Sequence, residues 1–306
     1  MEQRDRGFKK KTIVSIITHK VNAWVNTITD LTLQERIQQS YILTGGAIAS
    51  MLQGQLPNDF DIYFDDADVC ADVARYYVNQ HMTKRNKSHE YKVDIIKDSN
   101  RVQVFIKSAG VLGEDVDNNA YQYFESTPTE SISEEMTAFL GDPSKEHLEE
   151  TKGKYRAQYI TSNAISLSDS IQIITRFVGS SNDIHANFDY VHATNYYSKK
   201  TGLVLVPEAM ESILAKELSY IGSLYPIASL FRMRKFVQRG WTINVGEILK
   251  MSWDISKLDL SDIKVLREQL TGVDVAYFQE LLTLLSKSDR NLDRSYLVEL
   301  INRVFE

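Results

Sequence analysis

Asp59 and Asp61 stand one residue apart in the run Asp59-Phe60-Asp61-Ile62-Tyr63-Phe64. Side chains alternate along an extended strand, so two acids at this spacing project from one face while Phe60, Ile62 and Phe64 project from the other. Paired carboxylates on one face suit a hard cation such as Mg²⁺ or Mn²⁺. Such a cation takes one or two carboxylates and leaves its other positions to water and phosphate oxygens. A solvated turn or strand edge accounts for the same pattern when nothing surrounds it. Upstream, Thr44-Gly45-Gly46 follows the apolar Tyr41-Ile42-Leu43 and precedes a helix-forming stretch. Glycines there let backbone amides approach phosphate without a Cβ in the way, and a helix start favours anions. A plain tight turn is the simpler reading. Taken together, Thr44, Gly45, Gly46, Asp59 and Asp61 point to phosphate oxygens held with a divalent cation.

Other residues extend this picture. Arg232, Lys235 and Arg239 fall at i, i+3 and i+7, with Arg234 nearby, giving a basic helical face on which a triphosphate or an RNA backbone could rest. A solvated face explains the same charges. Tyr196, Tyr197, Phe236 and Trp241 could stack on a base, or fill a core. Asp94, Asp189 and His192 are further candidate neighbours of the paired acids. Cys70 is the single cysteine, which excludes an internal disulfide and a multi-cysteine metal site and fits a reducing cytoplasm.

The elements that must position these groups are of mixed type. A helix over about 33–40 is announced by Thr32 and Glu35, a capping-box spacing. A short strand over Tyr41–Thr44, a Gly-Gly turn and a helix over 47–53 follow, then a strand over 60–64 and a helix over 68–82. Strand patterns recur at 91–96, 102–106, 158–167 and 171–177, the last two joined by Ser168-Asp169-Ser170 as a hairpin turn. Between about 110 and 150 acidic residues dominate, Lys145 being the sole Lys or Arg there, which marks an insertion or flap. From about Pro207 the pattern is helical, with capping candidates at Ser261 and Asp289. The expected fold class is α+β, a small mixed-sheet catalytic domain over 31–206 preceded by a helical segment at 1–30 and followed by a helical domain at 207–306.

With 306 residues, 43% of them hydrophobic, the chain can bury a sizeable core. The basic N-terminus superficially resembles a signal peptide, but His19, Lys20 and Asn22 follow, so it reads as an amphipathic helix. Apolar runs fall far short of the roughly 20 residues that span a bilayer, so no membrane partner is expected. A net charge of −6 argues against non-specific coating of nucleic acid, which depends on Lys and Arg neutralising phosphates.

Strand, Gly45-Gly46, helix and Asp59-x-Asp61 on the next strand resemble the signature of the nucleotidyltransferase superfamily that includes DNA polymerase beta. Phe188-Asp189-Tyr190-Val191-His192, Thr201-Gly202-Leu203-Val204 and Pro226 through Trp241 resemble the neck of the CCA-adding and poly(A) polymerase group. The likeness covers about residues 33–245, and the whole is similar to nucleotidyltransferase-like proteins of tailed bacteriophages. The resemblance implies two metal ions, Mg²⁺ or Mn²⁺, as cofactor and an NTP, held by the glycine turn, as donor. It also implies attack by a hydroxyl on the α-phosphate with loss of pyrophosphate, with RNA or a protein side chain as acceptor. A toxin or defence-related role is compatible with either acceptor. It further implies a third carboxylate, for which Asp189 and Asp94 are candidates, because Gln172 stands where an acid would be natural. The run Tyr225 to Arg232 carries none of the acids that read the base in the CCA-adding group, and Ala186-Asn187-Phe188 precede Asp189 where that group has paired arginines. Templated addition of C and A is therefore not expected, and a catalytically inactive, nucleotide-binding or assembly role is the alternative.

Overall fold

The computed structural model describes residues 7–85, 91–96, 101–106, 154–160 and 164–260, with the single positions 262, 265 and 269 beyond them. The acidic 110–150 segment and the Ser261 and Asp289 caps lie outside the described residues.

Two helices, α1 (Lys10–Val25) and α2 (Leu31–Ser40), lead into β1 (Tyr41–Thr44), α3 (Gly46–Leu52), β2 (Phe60–Phe64) and α4 (Ala67–Arg85). Then come β3 (Tyr91–Ile96), β4 (Arg101–Ile106), β5 (Ala157–Ile160), β6 (Ala164–Leu167) and β7 (Ile171–Val178). A short helix α5 (Ser181–His185) and a 3₁₀ turn at Val191–Ala193 precede β8 (Tyr196–Ser198) and β9 (Gly202–Val204). The remainder is α6 (Pro207–Ala215), β10 (Glu217–Leu218), α7 (Pro226–Gln238), β11 (Thr242–Ile243) and α8 (Val245–Ser256).

Seven strands form one mixed sheet in the order β5-β6-β7-β2-β1-β8-β9. Every neighbouring pair is antiparallel except β2 with β7. The chain is thus α+β, with its sheet ahead of a mainly helical stretch. One face of the sheet is covered by α1 to α4. Ile13, Ile17, Val21 and Trp24 recur at helical spacing on α1 and are wholly buried with Phe60, Ile62 and Phe64 of β2 and Ile171 and Ile173 of β7. Each such side chain contributes about 1.5–3 kcal/mol by leaving water. Trp24 also donates its indole N–H to Tyr77 Oη at 2.7 Å, satisfying the one polar atom that this burial would strand.

Several local expectations are corrected. The cap of α2 is Asp30, whose carboxylate accepts from Leu33 N at 3.0 Å, so the helix begins two residues before the Thr32–Glu35 pattern placed it. The expected strand over 158–167 is two, β5 and β6, which pair antiparallel with each other. Among the described residues β3 and β4 pair only with each other, in a separate two-stranded sheet. The helical C-terminal stretch includes a parallel pair, β10 with β11. Proline opens both α6 and α7, where its missing N–H costs no helical hydrogen bond. Cys70 is buried in the main core, a small hydrophobe in its packing. Among the described residues no helix is long and apolar enough to cross a membrane.

Candidate functional site

β1 and β2 run side by side with Thr44 opposite Asp61, so the residue before the glycines and the second acid lie at the same level of the sheet. Gly45 adopts φ +95°, a region that disfavours any Cβ. A Cβ placed there would sit 3.0 Å from Asp61 Oδ2. The glycine therefore does two things, turning the chain into α3 and leaving room for the carboxylate. Its amide was expected to face phosphate; instead Gly45 N–H donates to Ala193 O at 3.1 Å. Any anion at this turn meets the amides from Gly46 onward.

Thr44, expected to touch nucleotide, is fully buried. Its hydroxyl lies 2.9 Å from His185 Nε2, 3.0 Å from Asn195 O and 3.2 Å from Ala193 O. A hydroxyl carries one proton, and two carbonyls compete for it, so the imidazole donates and His185 is the Nε2–H tautomer. Burial lowers the pKa of His185 to about 4, consistent with that neutral ring. Thr44 thus clamps the glycine turn to the 191–195 segment and to α5.

Asp59 is exposed at the entrance of β2 and Asp61 is half-buried one step further in. Enclosure of the Asp61 carboxyl, followed by the neighbouring charge of Asp59, raises its pKa to about 7, against the pull of Arg232. Two adjacent carboxylates whose like charges oppose one another fit a divalent cation, which would relieve both penalties. Among the described residues no group of three or more His, Cys, Asp or Glu is placed to hold a metal ion. Across the sheet the next residue level with Asp61 is Gln172 on β7, and beyond it Ser166 on β6.

Asp189 is nearly buried and bound to Arg232 on α7, Oδ2 to Nη1 at 2.5 Å. The charges of Asp61, Arg232 and Asp189 all act on the Tyr63 phenol, which burial pushes well above its usual range. Asp61, Tyr63, Asp189 and Arg232 therefore share one neighbourhood on the outer face of β2, with Phe188 packed on the Tyr63 ring at 5.9 Å. Asp94 pairs with Gln103 in the separate β3–β4 sheet; its side chain lies outside the described residues.

The basic face of α7 divides. Arg232 turns inward to Asp189, whereas Lys235 and Arg239 are exposed, and Arg239 sits at the C-cap with its guanidinium 5.9 Å from the Phe236 ring. The aromatic candidates divide as well. Tyr197 is buried beside Tyr41, and Trp241 and Phe236 enclose His192 at 4.9 and 4.4 Å. That His is 2% exposed, its Nδ1 has no hydrogen-bond partner among the described residues, and burial lowers its pKa to about 4. It is a neutral member of an apolar cluster with Tyr190, Tyr220 and Met251. Tyr196 and Phe236 are both half-buried, and Tyr196 packs near the turn against His185 at 5.6 Å. His185 was not singled out from the sequence, since nothing in its spacing links it to a threonine 141 positions away.

The site thus consists of Asp59 at the entrance of the central strand β2, Asp61 on it, a positive-φ glycine against Asp61, and an arginine from the following helical stretch. The chain belongs to the Gabija anti-defense 2 family, whose model matches residues 15–216. The chain is similar to the Bacillus stearothermophilus CCA-adding enzyme in complex with CTP, at TM-score 0.37 and 11% identity over 84% of this chain and 50% of that one. It is also similar to the Thermotoga maritima CCA-adding enzyme complexed with tRNA, at TM-score 0.39 and 9% identity over 93% of this chain and 53% of that one. The chain spans about half the length of these two enzymes. No curated protein matches it.

Proposed function

We propose that this chain is a nucleotidyltransferase that moves a nucleoside monophosphate from a triphosphate onto a hydroxyl, and that it does so to counter the Gabija defence. The observation that supports this is the packing of Gly45, Asp61 and Asp59 at the end of β1 and β2, with the charge of Arg232 acting on Asp61. Asp59 and Asp61 would hold Mg²⁺ or Mn²⁺, which when bound orients the phosphates and offsets their negative charge. Arg232, kept in place by Asp189, offers a planar donor to phosphate oxygens. Gly46 and the first turn of α3 bring backbone amides to the same spot. An RNA 3′ hydroxyl is the acceptor to test first, because exposed Lys235 and Arg239 extend positive charge away from the turn. A protein hydroxyl is the other acceptor compatible with a chain of net charge −6.

A second reading is favoured by one specific observation. Gln172 lies beside Asp61 and Asp189 is bound to Arg232, so the chain is alternatively a nucleotide-binding component without transferase activity.

Incubation with each α-³²P-labelled triphosphate, Mg²⁺ or Mn²⁺, total cellular RNA and extract from Gabija-carrying cells separates the two. Label entering RNA or a protein band with the wild type and not with the Asp59→Ala, Asp61→Ala variant supports transfer. Bound triphosphate without transfer supports the second reading. Plaque counts on Gabija-carrying cells expressing either form test the biological role. Equal protection by both forms would remove the paired acids from that role.

A further inference from the structure

Gln172 has a defined place in the sheet. β2 and β7 run parallel with Asp61 opposite Gln172, and β6 pairs back so that Ser166 is opposite Gln172. On the other side of β2, Thr44 is opposite Asp61, and Tyr196 of β8 is opposite Thr44. Paired residues in neighbouring strands share a face, so Tyr196, Thr44, Asp61, Gln172 and Ser166 form one row across five strands. The alternation in burial agrees, since Ile171 and Ile173 on either side of Gln172 belong to the opposite, core face with Phe60 and Ile62. Asp61 is the sole carboxylate in that row.

Two divalent cations a few ångströms apart repel strongly, and a site that holds both must supply carboxylates enough to bridge and flank them. Asp59 and Asp61 supply two charges. Gln172 supplies a neutral amide, one carbonyl oxygen with two N–H donors beside it that turn away from cations. Among the described residues Asp189 is the other acid in the neighbourhood, and its carboxylate is bound to Arg232 at 2.5 Å in a nearly buried position. Turning it to a metal would part it from Arg232 and set the guanidinium charge beside a new positive charge, which repels it. Arg232 already acts on Asp61 as a fixed positive charge.

We propose that this site accepts a single divalent cation, the one that travels with the triphosphate, and that Gln172 stands where a second cation would require a carboxylate. This rests on the nucleotide-binding reading above. Asp59 and Asp61 hold the cation against the phosphates, and Asp189 is a positioning residue that aims Arg232 rather than a metal ligand. An acceptor hydroxyl then meets no metal of its own, and any transfer is slow compared with a variant that restores the missing acid.

The test is a count of Mn²⁺ by equilibrium dialysis with electron paramagnetic resonance, in the presence of a saturating ³H-labelled α,β-methylene ATP. The expected result is one Mn²⁺ and one nucleotide per chain for the wild type, two Mn²⁺ for Gln172→Asp, and one for Asp189→Asn with weakened nucleotide binding. Two Mn²⁺ in the wild type, or loss of one in Asp189→Asn, overturns the proposal while leaving nucleotide binding intact. No nucleotide and no Mn²⁺ on the wild type overturns both this proposal and the reading beneath it. The wild-type count stands by itself should Gln172→Asp fail to fold, and Gln172→Glu provides a second acid at the same position.

Discussion

The two faces of β2 differ in what they ask of their residues. Phe60, Ile62 and Phe64 look into a dry core formed with α1, α4 and β7. Asp61 and Tyr63 look outward to Arg232, Asp189 and the glycine turn, above a smaller apolar cluster of Ile42, Tyr63 and Ile184. On the core face, packing is the function and volume is what matters. On the outer face, burial works against the groups present, since it raises the Asp61 carboxyl to about 7 and pushes up the Tyr63 phenol. One strand thus carries the stability of the sheet on one side and a locally unfavourable charge arrangement on the other. Substitutions one residue apart should therefore separate folding from ligand binding.

The sharpest break in that comparison is Ile62→Ala. The side chain is wholly buried, so the cavity should cost about 2–5 kcal/mol in denaturant titration, with metal-dependent nucleotide binding retained while the chain stays folded. Next comes Asp61→Asn, which should lower metal-dependent triphosphate binding at least ~10²-fold, the upper range seen when even an outer partner of a metal site is lost. Its melting temperature should hold or rise, and a fall of several degrees would show that Asp61 serves the fold. Gly45→Ala should do some of each. The strained φ costs about 1–3 kcal/mol, and the added Cβ meets Asp61 Oδ2 at 3.0 Å, so nucleotide binding falls with stability.

Smaller effects follow from pH. The folded Asp61 pKa of about 7 lies above its ordinary 3.8, so the fold favours the protonated acid. That contribution is complete near pH 4, declines as pH rises and is gone above about pH 7 in metal-free protein. Divalent cation should bind tighter on the alkaline side of pH 7. His185 and His192 run the other way. With folded values of about 4 against an ordinary 6.5, their contribution is complete above pH 6.5 and is lost as pH falls toward 4. Melting curves across pH 4–8 should therefore steepen toward acid in Asp61→Asn, where the opposing slope is removed, and flatten in His192→Phe. An unchanged profile in both variants would contradict these assignments. The smallest effect is expected for Lys235→Ala, an exposed charge whose loss should weaken RNA retention a few-fold in low salt and leave the melting temperature within about 1 °C.

Much of the site was legible because it is local. The period-two alternation around Asp59 and Asp61 assigned the two faces of β2 correctly, and the glycines after an apolar strand located the turn. The hairpin turn at 168–170 was likewise visible, with Asp169 and Ser170 taking positive φ as short polar turn residues can. Boundaries moved by a few residues where a stronger local partner existed, as with Asp30 capping α2 in place of Thr32. The part played by Gly45 was legible only halfway. Its conformational freedom could be anticipated, but the approach of Asp61 to its Cα, and the use of its amide by Ala193, could not.

By itself the sequence determined the elements from α2 to α4, the side of β2 on which the acids fall and the turn beside them, because dihedral preference and periodicity act over a few residues. Sheet order belonged to the tertiary structure. It set Gln172 beside Asp61, brought His185 onto Thr44 and joined Asp189 to Arg232, pairings that depend on strands and helices meeting from distant parts of the chain. Whether those meetings give a carboxylate, an amide or an ion pair next to Asp61 decides how many cations the site can hold, and only the packed fold sets that charge balance.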